Sequence, residues 1–124
     1  MILCDTDIVI ELFKNNPQVK QECQKIGINN LAISAVSTGE LFRGALDKKE
    51  LEKIKTHLQF YHLHTITQQV TETYLDLMDI YCLSHRCHVD DMLIAATALV
   101  HNCKLYTLNT KDFRFIKNIA LYHP

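Results

Sequence analysis

The sequence predicts an α/β protein of three layers, a central and mostly parallel sheet covered by helices on both faces. Two observations lead there. Short, continuous apolar runs of strand length alternate along the chain with longer stretches whose apolar residues recur at helical spacing, the pattern that right-handed β–α–β crossovers produce. With 124 residues, 48% of them hydrophobic, and only three Gly and two Pro, the chain also has enough apolar material for one real core and too little length for two, so a single domain over 1–124 is expected. No linker, repeat or low-complexity segment interrupts it.

Ile2 to Cys4 is the first strand, ending at Asp5, and TDIVIELF then spaces Ile8, Leu12 and Phe13 as a helix does. Pro17 suits the first turn of a second helix that runs to about Ile26, where Gly27 and the Asn29–Asn30 pair mark a turn. Leu31 to Ile33 is the second strand. Ser34 or Ser37 opens the next helix, which carries Val36, Glu40, Leu41 and Ala45, and a charged amphipathic segment follows from Lys48 to Phe60. YHLHTI (61–66) is a third strand, Thr67 to about Leu83 another amphipathic helix, and Asp90 and Asp91 begin an apolar helix that reaches His101. Asn102 fits a left-handed cap, KLYTL (104–108) a further strand, and the terminal IALY the last one.

Charge balances within each half, 1–62 holding eight basic and eight acidic residues and 63–124 five and six; with no acidic or basic tail, any polyanion must be met by a local patch. The longest apolar run, MLIAATALV from Met92, is nine residues against the ~20 a membrane helix needs. MILCDTD lacks the basic start of a signal peptide, and five cysteines without a CxxC pair do not make a disulfide framework; a cytosolic location with reduced thiols is expected.

In open parallel sheets, ligands gather beyond the carboxyl ends of the strands. Asp5 stands there after the first strand and Asn109 just past KLYTL. Asp91, in the first turn of its helix, and Glu40, on the helix after the second strand, can point into the same crevice. Ionised carboxylates that close repel one another unless a cation sits among them, and an all-oxygen donor set favours Mg²⁺ or Mn²⁺ over Zn²⁺. Metal ions so held activate water and stabilise departing oxygens, chemistry suited to a phosphodiester. Each residue also has a structural reading: Asp5, Asp90 and Asp91 as helix-start carboxylates, Ser37–Thr38–Gly39–Glu40 as a capping box, Asn109 as a turn residue.

LCDTDIVIEL, ISAVSTGELFRGA and DDMLIAATALVHNCKLYTLNTKDF occur in the order and spacing of PIN-domain nucleases, and the chain resembles most the VapC-type toxins of toxin–antitoxin pairs over essentially its whole length. The resemblance implies a PIN-like α/β/α sandwich in which Asp5, Glu40, Asp91 and Asn109 are the catalytic and metal-binding positions, the third because Asp91-Met92-Leu93-Ile94-Ala95-Ala96 matches D-x-L-I-A-A. Thr6, Asp7, Ser37, Thr107 and Asp112 would support them from behind. It further implies a Mg²⁺- or Mn²⁺-dependent endoribonuclease cutting tRNA or rRNA loops to inhibit translation, a VapB-like antitoxin that plugs the crevice, and a homodimer. Three departures stand out: Asp7 replaces the usual Asn of D-T-N, the fourth position is neutral Asn109, and SHRCHVDD replaces a Gly-containing loop.

RNA contacts are expected from Lys104, Lys111, Arg114 and Lys117, a basic surplus set against Asp112 alone, with Arg43 and Arg86 as further candidates and Tyr106, Phe113 and Phe115 as possible stacking faces. Competing readings are a zinc site from Cys82, His85, Cys87 and His88, although the spacing matches no known structural site; histidine-based cleavage, although no histidine is expected at the crevice; a receiver-like phosphoacceptor, although no Lys-Pro precedes the final strand; and an inactive PIN-fold binding module.

Overall fold

The computed structural model describes residues 1–124. Four strands, β1 (Ile2–Cys4), β2 (Leu31–Ser34), β3 (His62–His64) and β4 (Lys104–Tyr106), form one sheet in the order β3-β2-β1-β4, every neighbouring pair parallel. Six helices connect them: α1 (Thr6–Phe13), α2 (Pro17–Ile26), α3 (Ala35–Arg43), α4 (Lys48–Leu58), α5 (Gln68–His85) and α6 (Val89–Val100). The expected α/β/α sandwich is what forms. Successive strand residues point to opposite faces: Leu3 joins Ala32, Leu105, Met92 and Phe113 under α5 and α6, while Cys4 joins Ile33, Ile8, Val19 and Ile54 under α1, α2 and α4. No helix is long and apolar enough to cross a membrane, and all five cysteines are free thiols.

Local chemistry sets most helix starts. Asn16 accepts the N–H groups of Gln18 and Val19 ahead of Pro17 in the first turn; Asp47 and Thr67 accept those of Glu50 and Val70. At α3 the alternative resolves in favour of Ser34, whose hydroxyl accepts the Ser37 N–H at 3.0 Å. The capping-box reading is thereby corrected: Ser37 lies inside the helix with its hydroxyl buried and unpartnered, and Glu40 is free to reach outward.

Three strand expectations shorten. YHLHTI orders only over His62–His64, at the exposed edge of the sheet. KLYTL leaves the ladder after Tyr106, where the Thr107 hydroxyl turns to Asp5 and the Leu108 N–H to Asp7. The terminal IALY makes a single bridge, Leu121 beside Leu105, held by Leu105 N–H to Ala120 O and Tyr122 N–H to Leu105 O, each 2.8 Å. Asn102 does take the left-handed conformation, at φ 52°.

Candidate functional site

β1 and β4 are neighbours, so the residues just past their carboxyl ends meet. Asp5 caps α1, is 6% exposed, and donates its N–H to Tyr106 O at 2.9 Å. One of its oxygens, Oδ1, accepts Thr6 N–H and the other accepts the Thr107 hydroxyl, both at 2.8 Å. A hydroxyl has one proton, and at 3.5 Å Asp7 is too far to share it; Asp7 Oδ2 is served instead by Leu108 N–H at 3.0 Å and Asn109 Nδ2 at 3.1 Å. Thr107 Oγ1 in turn accepts Asn109 N–H at 3.0 Å. Asp7 Oδ1 is buried without a partner.

The opposite wall comes from α3 and α6. The Thr6 hydroxyl donates to Glu40 Oε1 at 2.7 Å, tying α1 to α3. Asp90 and Asp91 occupy the first turn of α6, where Asp90 Oδ1 accepts the Asp91 N–H at 3.0 Å and its carboxyl faces that of Glu40. The electrostatic consequence is uniform. Burial first, then the charges of Asp7 and Asp90, push Asp5 up to about 6 against the donors that lower it. Burial, then Asp90, Asp5 and Asp112, push Asp91 up to about 7, with His88 opposing. Burial and the neighbouring Asp90 and Asp5 also raise Glu40, and burial raises Asp7.

Asp5, Glu40 and Asp91 therefore share one negative field, with Asp7, Asp90 and Asp112 around it. This donor set is hard oxygen throughout, it carries more charge than it can hold ionised at neutral pH, and it keeps an unpartnered buried oxygen on Asp7; each feature fits a divalent cation of the Mg²⁺ type. No three Asp, Glu, His or Cys side chains close tightly enough to hold an ion by themselves. Asp5 and Asp91, the latter only half-buried, could hold one only with water completing its shell, as Mg²⁺ ordinarily retains water.

Other expected positions divide. Thr6 and Thr107 do hold carboxylates by their hydroxyls; Ser37 does not, its hydroxyl having no partner. Asn109 clamps Asp7 with its amide nitrogen, which relieves the extra carboxylate in that corner. Lys111, Arg114 and Lys117 are exposed on the turn following Asn109, and Arg43 is exposed one turn beyond Glu40. Lys104 is corrected: it begins β4 opposite Ile2, at the end of the sheet away from the crevice. Tyr106 and Phe113 are buried core residues and offer no stacking face. The zinc reading fails geometrically, because Cys87 Sγ contacts Met78 Sδ at 3.8 Å while His85 lies against Ser84 and Phe115. Two residues were missed. Asp90, taken as a helix-start carboxylate, acts on Glu40, Asp5 and Asp91 together, a part the adjacent acidic pair could have suggested; His88, flanking α6, bears directly on Asp91 although no histidine was expected here.

A parallel α/β sandwich whose acidic residues converge beyond the carboxyl edge of β1 and β4 defines the class: an acidic-crevice α/β domain, with the crevice at the strand ends. The PIN domain family model matches residues 2–119, and the chain belongs to that family. It is 32% identical to ribonuclease VapC10 of Mycobacterium tuberculosis over 123 residues, 96% of this chain and 90% of that protein. Among solved structures it is similar to a toxin–antitoxin complex from Klebsiella pneumoniae (TM-score 0.83, 29% identity, all of both chains) and to VapBC-1 of nontypeable Haemophilus influenzae (TM-score 0.84, 25% identity, 98% of this chain and 97% of that one).

Proposed function

We propose that the chain is a divalent-metal-dependent endoribonuclease, the toxin of a toxin–antitoxin pair. The observation that carries the reading is the gathering of Asp5, Glu40, Asp90 and Asp91 in one field whose charge is unfavourable without a cation. Similarity to ribonuclease VapC10 and to toxin–antitoxin complexes supports the substrate and the partner. A bound Mg²⁺ or Mn²⁺ supplies charge neutralisation and Lewis acidity at the scissile phosphate.

The chain's own residues do the rest. Asp5 and Asp91 are the direct ligands, and Thr107 and the Thr6 N–H fix the Asp5 oxygens so that little reorganisation accompanies binding. Glu40, held from behind by Thr6, orients a water molecule and accepts its proton as the water oxygen bonds to phosphorus; the P–O bond to the departing ribose oxygen breaks, and that oxygen takes a proton from solvent. Asn109 and Asp112 complete the wall, Asn109 through Asp7. Exposed Lys111, Arg114, Lys117 and Arg43 meet RNA phosphates. Biologically, this reading means cleavage of tRNA or rRNA loops that stops translation, a toxin homodimer, and release from a VapB-like antitoxin.

The test is cleavage of total RNA by purified protein in Mn²⁺ or Mg²⁺, in EDTA, and with Asp91→Asn. Metal-dependent cutting lost in EDTA and in the variant supports the reading. Cutting that persists undiminished in either overturns it.

A further inference from the structure

At the end of α5, three residues before α6 begins, lies a planar stack that hydrolysis does not use. The ring of His85, at the end of α5, lies on that of Phe115 with centroids 4.1 Å apart and planes 12° apart. Tyr81, one turn earlier, sets its ring edgewise against both, at 5.6 Å and 5.2 Å. Its hydroxyl accepts the Lys117 N–H at 2.9 Å, fastening the helix end to the turn after Phe113, and Ser84 Oγ lies 2.7 Å from His85 Nδ1. Phe115 is half-buried, but His85 remains exposed, so what it presents to solvent lies away from Phe115. An exposed ring held by three neighbours has lost its freedom before any ligand arrives, which lowers the entropy cost of stacking on it.

Two chain segments lead from the carboxylates to this stack. Arg86, in the left-handed conformation at φ 46°, turns the chain from His85 through Cys87 and His88 directly into Asp90 and Asp91. On the other side Asp112, whose charge acts on Asp91, is followed by Phe113, Arg114 and Phe115. Arg86, Arg114 and Lys117 are exposed and in no ion pair. A flat aromatic face flanked by free cations and set beside a phosphodiester-cleaving site matches a nucleobase with its phosphate better than it matches a peptide.

We infer that His85, backed by Phe115, is the stacking platform for one unpaired base of the RNA substrate next to the cut, with Arg86 and Arg114 on the adjoining phosphates. This rests on the ribonuclease reading, and makes His85 a positioning residue that selects unstacked, single-stranded sites.

Binding of a single-stranded oligoribonucleotide carrying 2-aminopurine, measured in EDTA, tests it without cleavage. Stacking quenches the probe. His85→Ala should lose the quenching and weaken binding roughly tenfold, within the range of one lost base–aromatic stack, while His85→Phe stays within about twofold of wild type. In metal-driven cleavage the Ala variant should raise KM about tenfold and leave kcat within about twofold. Equal binding and quenching by wild type and His85→Ala overturns the inference, as does no binding by wild type, or an unchanged RNA response with an altered sedimentation coefficient, which would make the stack a contact between copies. Quenching lost in the Ala variant of a protein that never cleaves RNA would uphold the platform and sink the ribonuclease reading, so the two failures are separable.

Discussion

Neutralising Asp91 should make the protein more stable at alkaline pH while destroying metal binding. Asp91 is raised from 3.8 to about 7, so between about pH 4 and pH 7 the folded state holds a proton that the unfolded state has released. Stability must therefore fall as pH rises through that window. At ~1.36 kcal/mol per tenfold, the full difference would be roughly 4 kcal/mol. Asp91 is only half-buried, and solvent screening reduces the part recoverable at pH 8 to ~2 kcal/mol. Asn also gives up a carboxylate at the start of α6, a loss of ~0.5 kcal/mol from the helix dipole. The net expectation for Asp91→Asn at pH 8 without metal is a gain of ~1–2 kcal/mol, or a melting temperature higher by roughly 4–8 °C, vanishing at pH 4. Saturating Mn²⁺ should reverse the order, since at 100 times its Kd a ligand adds ~2.7 kcal/mol to the state that binds it. Thermal denaturation from pH 4 to 8, with EDTA and with Mn²⁺, reads all of this. A variant that melts with or below wild type at pH 8 in EDTA, or that is stabilised by Mn²⁺ as much as wild type, refutes the reasoning.

Three further outcomes can be measured by the same denaturation assay. Ser37→Ala should stabilise by ~0.5–1 kcal/mol, because it removes a buried hydroxyl that has no partner from inside a helix and installs a better helix former; a loss of stability would mean that the hydroxyl is satisfied in solution. Thr107→Val keeps the shape but deprives Asp5 Oδ2 of its donor and Asn109 N–H of its acceptor, so it should cost ~1–3 kcal/mol, more at pH 8 than at pH 5 because only ionised Asp5 suffers fully. Asn109→Asp should cost ~1–2 kcal/mol at pH 8 by facing Asp7 with a second carboxylate. Adding Asp7→Asn restores a donor–acceptor pair and should return most of that cost, a coupling that a double-mutant cycle detects; strictly additive effects would show that the two side chains act independently.

The sequence was most legible where one local signal decides a structure. Asn16 before Pro17 opens α2, and continuous apolar runs mark β1 and β2, because these choices depend on residues within a turn of one another. It misled where a distant partner outbid the local preference. Ser34-x-x-Ser37 and Ser37-x-x-Glu40 are both plausible helix starts, and the exit from β2 selected the first. Thr107 and Leu108 favour extension, yet the sheet ends at Tyr106 because their hydroxyl and N–H meet carboxylates a hundred positions away. Lys104 was grouped with Lys111 by proximity in the chain, whereas the direction of β4 sends them to opposite ends of the sheet.

The acidic site shows the same division. Position after a strand end singled out Asp5 and Asn109 as crevice residues, but which oxygen each donor satisfies, and that Asp90 turns toward Glu40, depends on packing that no window of sequence contains. Nor could composition reveal the field. A net charge of −1, balanced in both halves of the chain, implies no concentration of charge. The order β3-β2-β1-β4 creates it: β1 lies between β2 and β4, so the segments leaving the second strand and the fourth flank the segment leaving the first, and Asp90 and Asp91 at the start of α6 act on the same carboxylates. Carboxylates spread from position 5 to position 112 then oppose one another's ionisation, and the relief of that opposition by a cation is the chemical lever on which the proposed reaction depends.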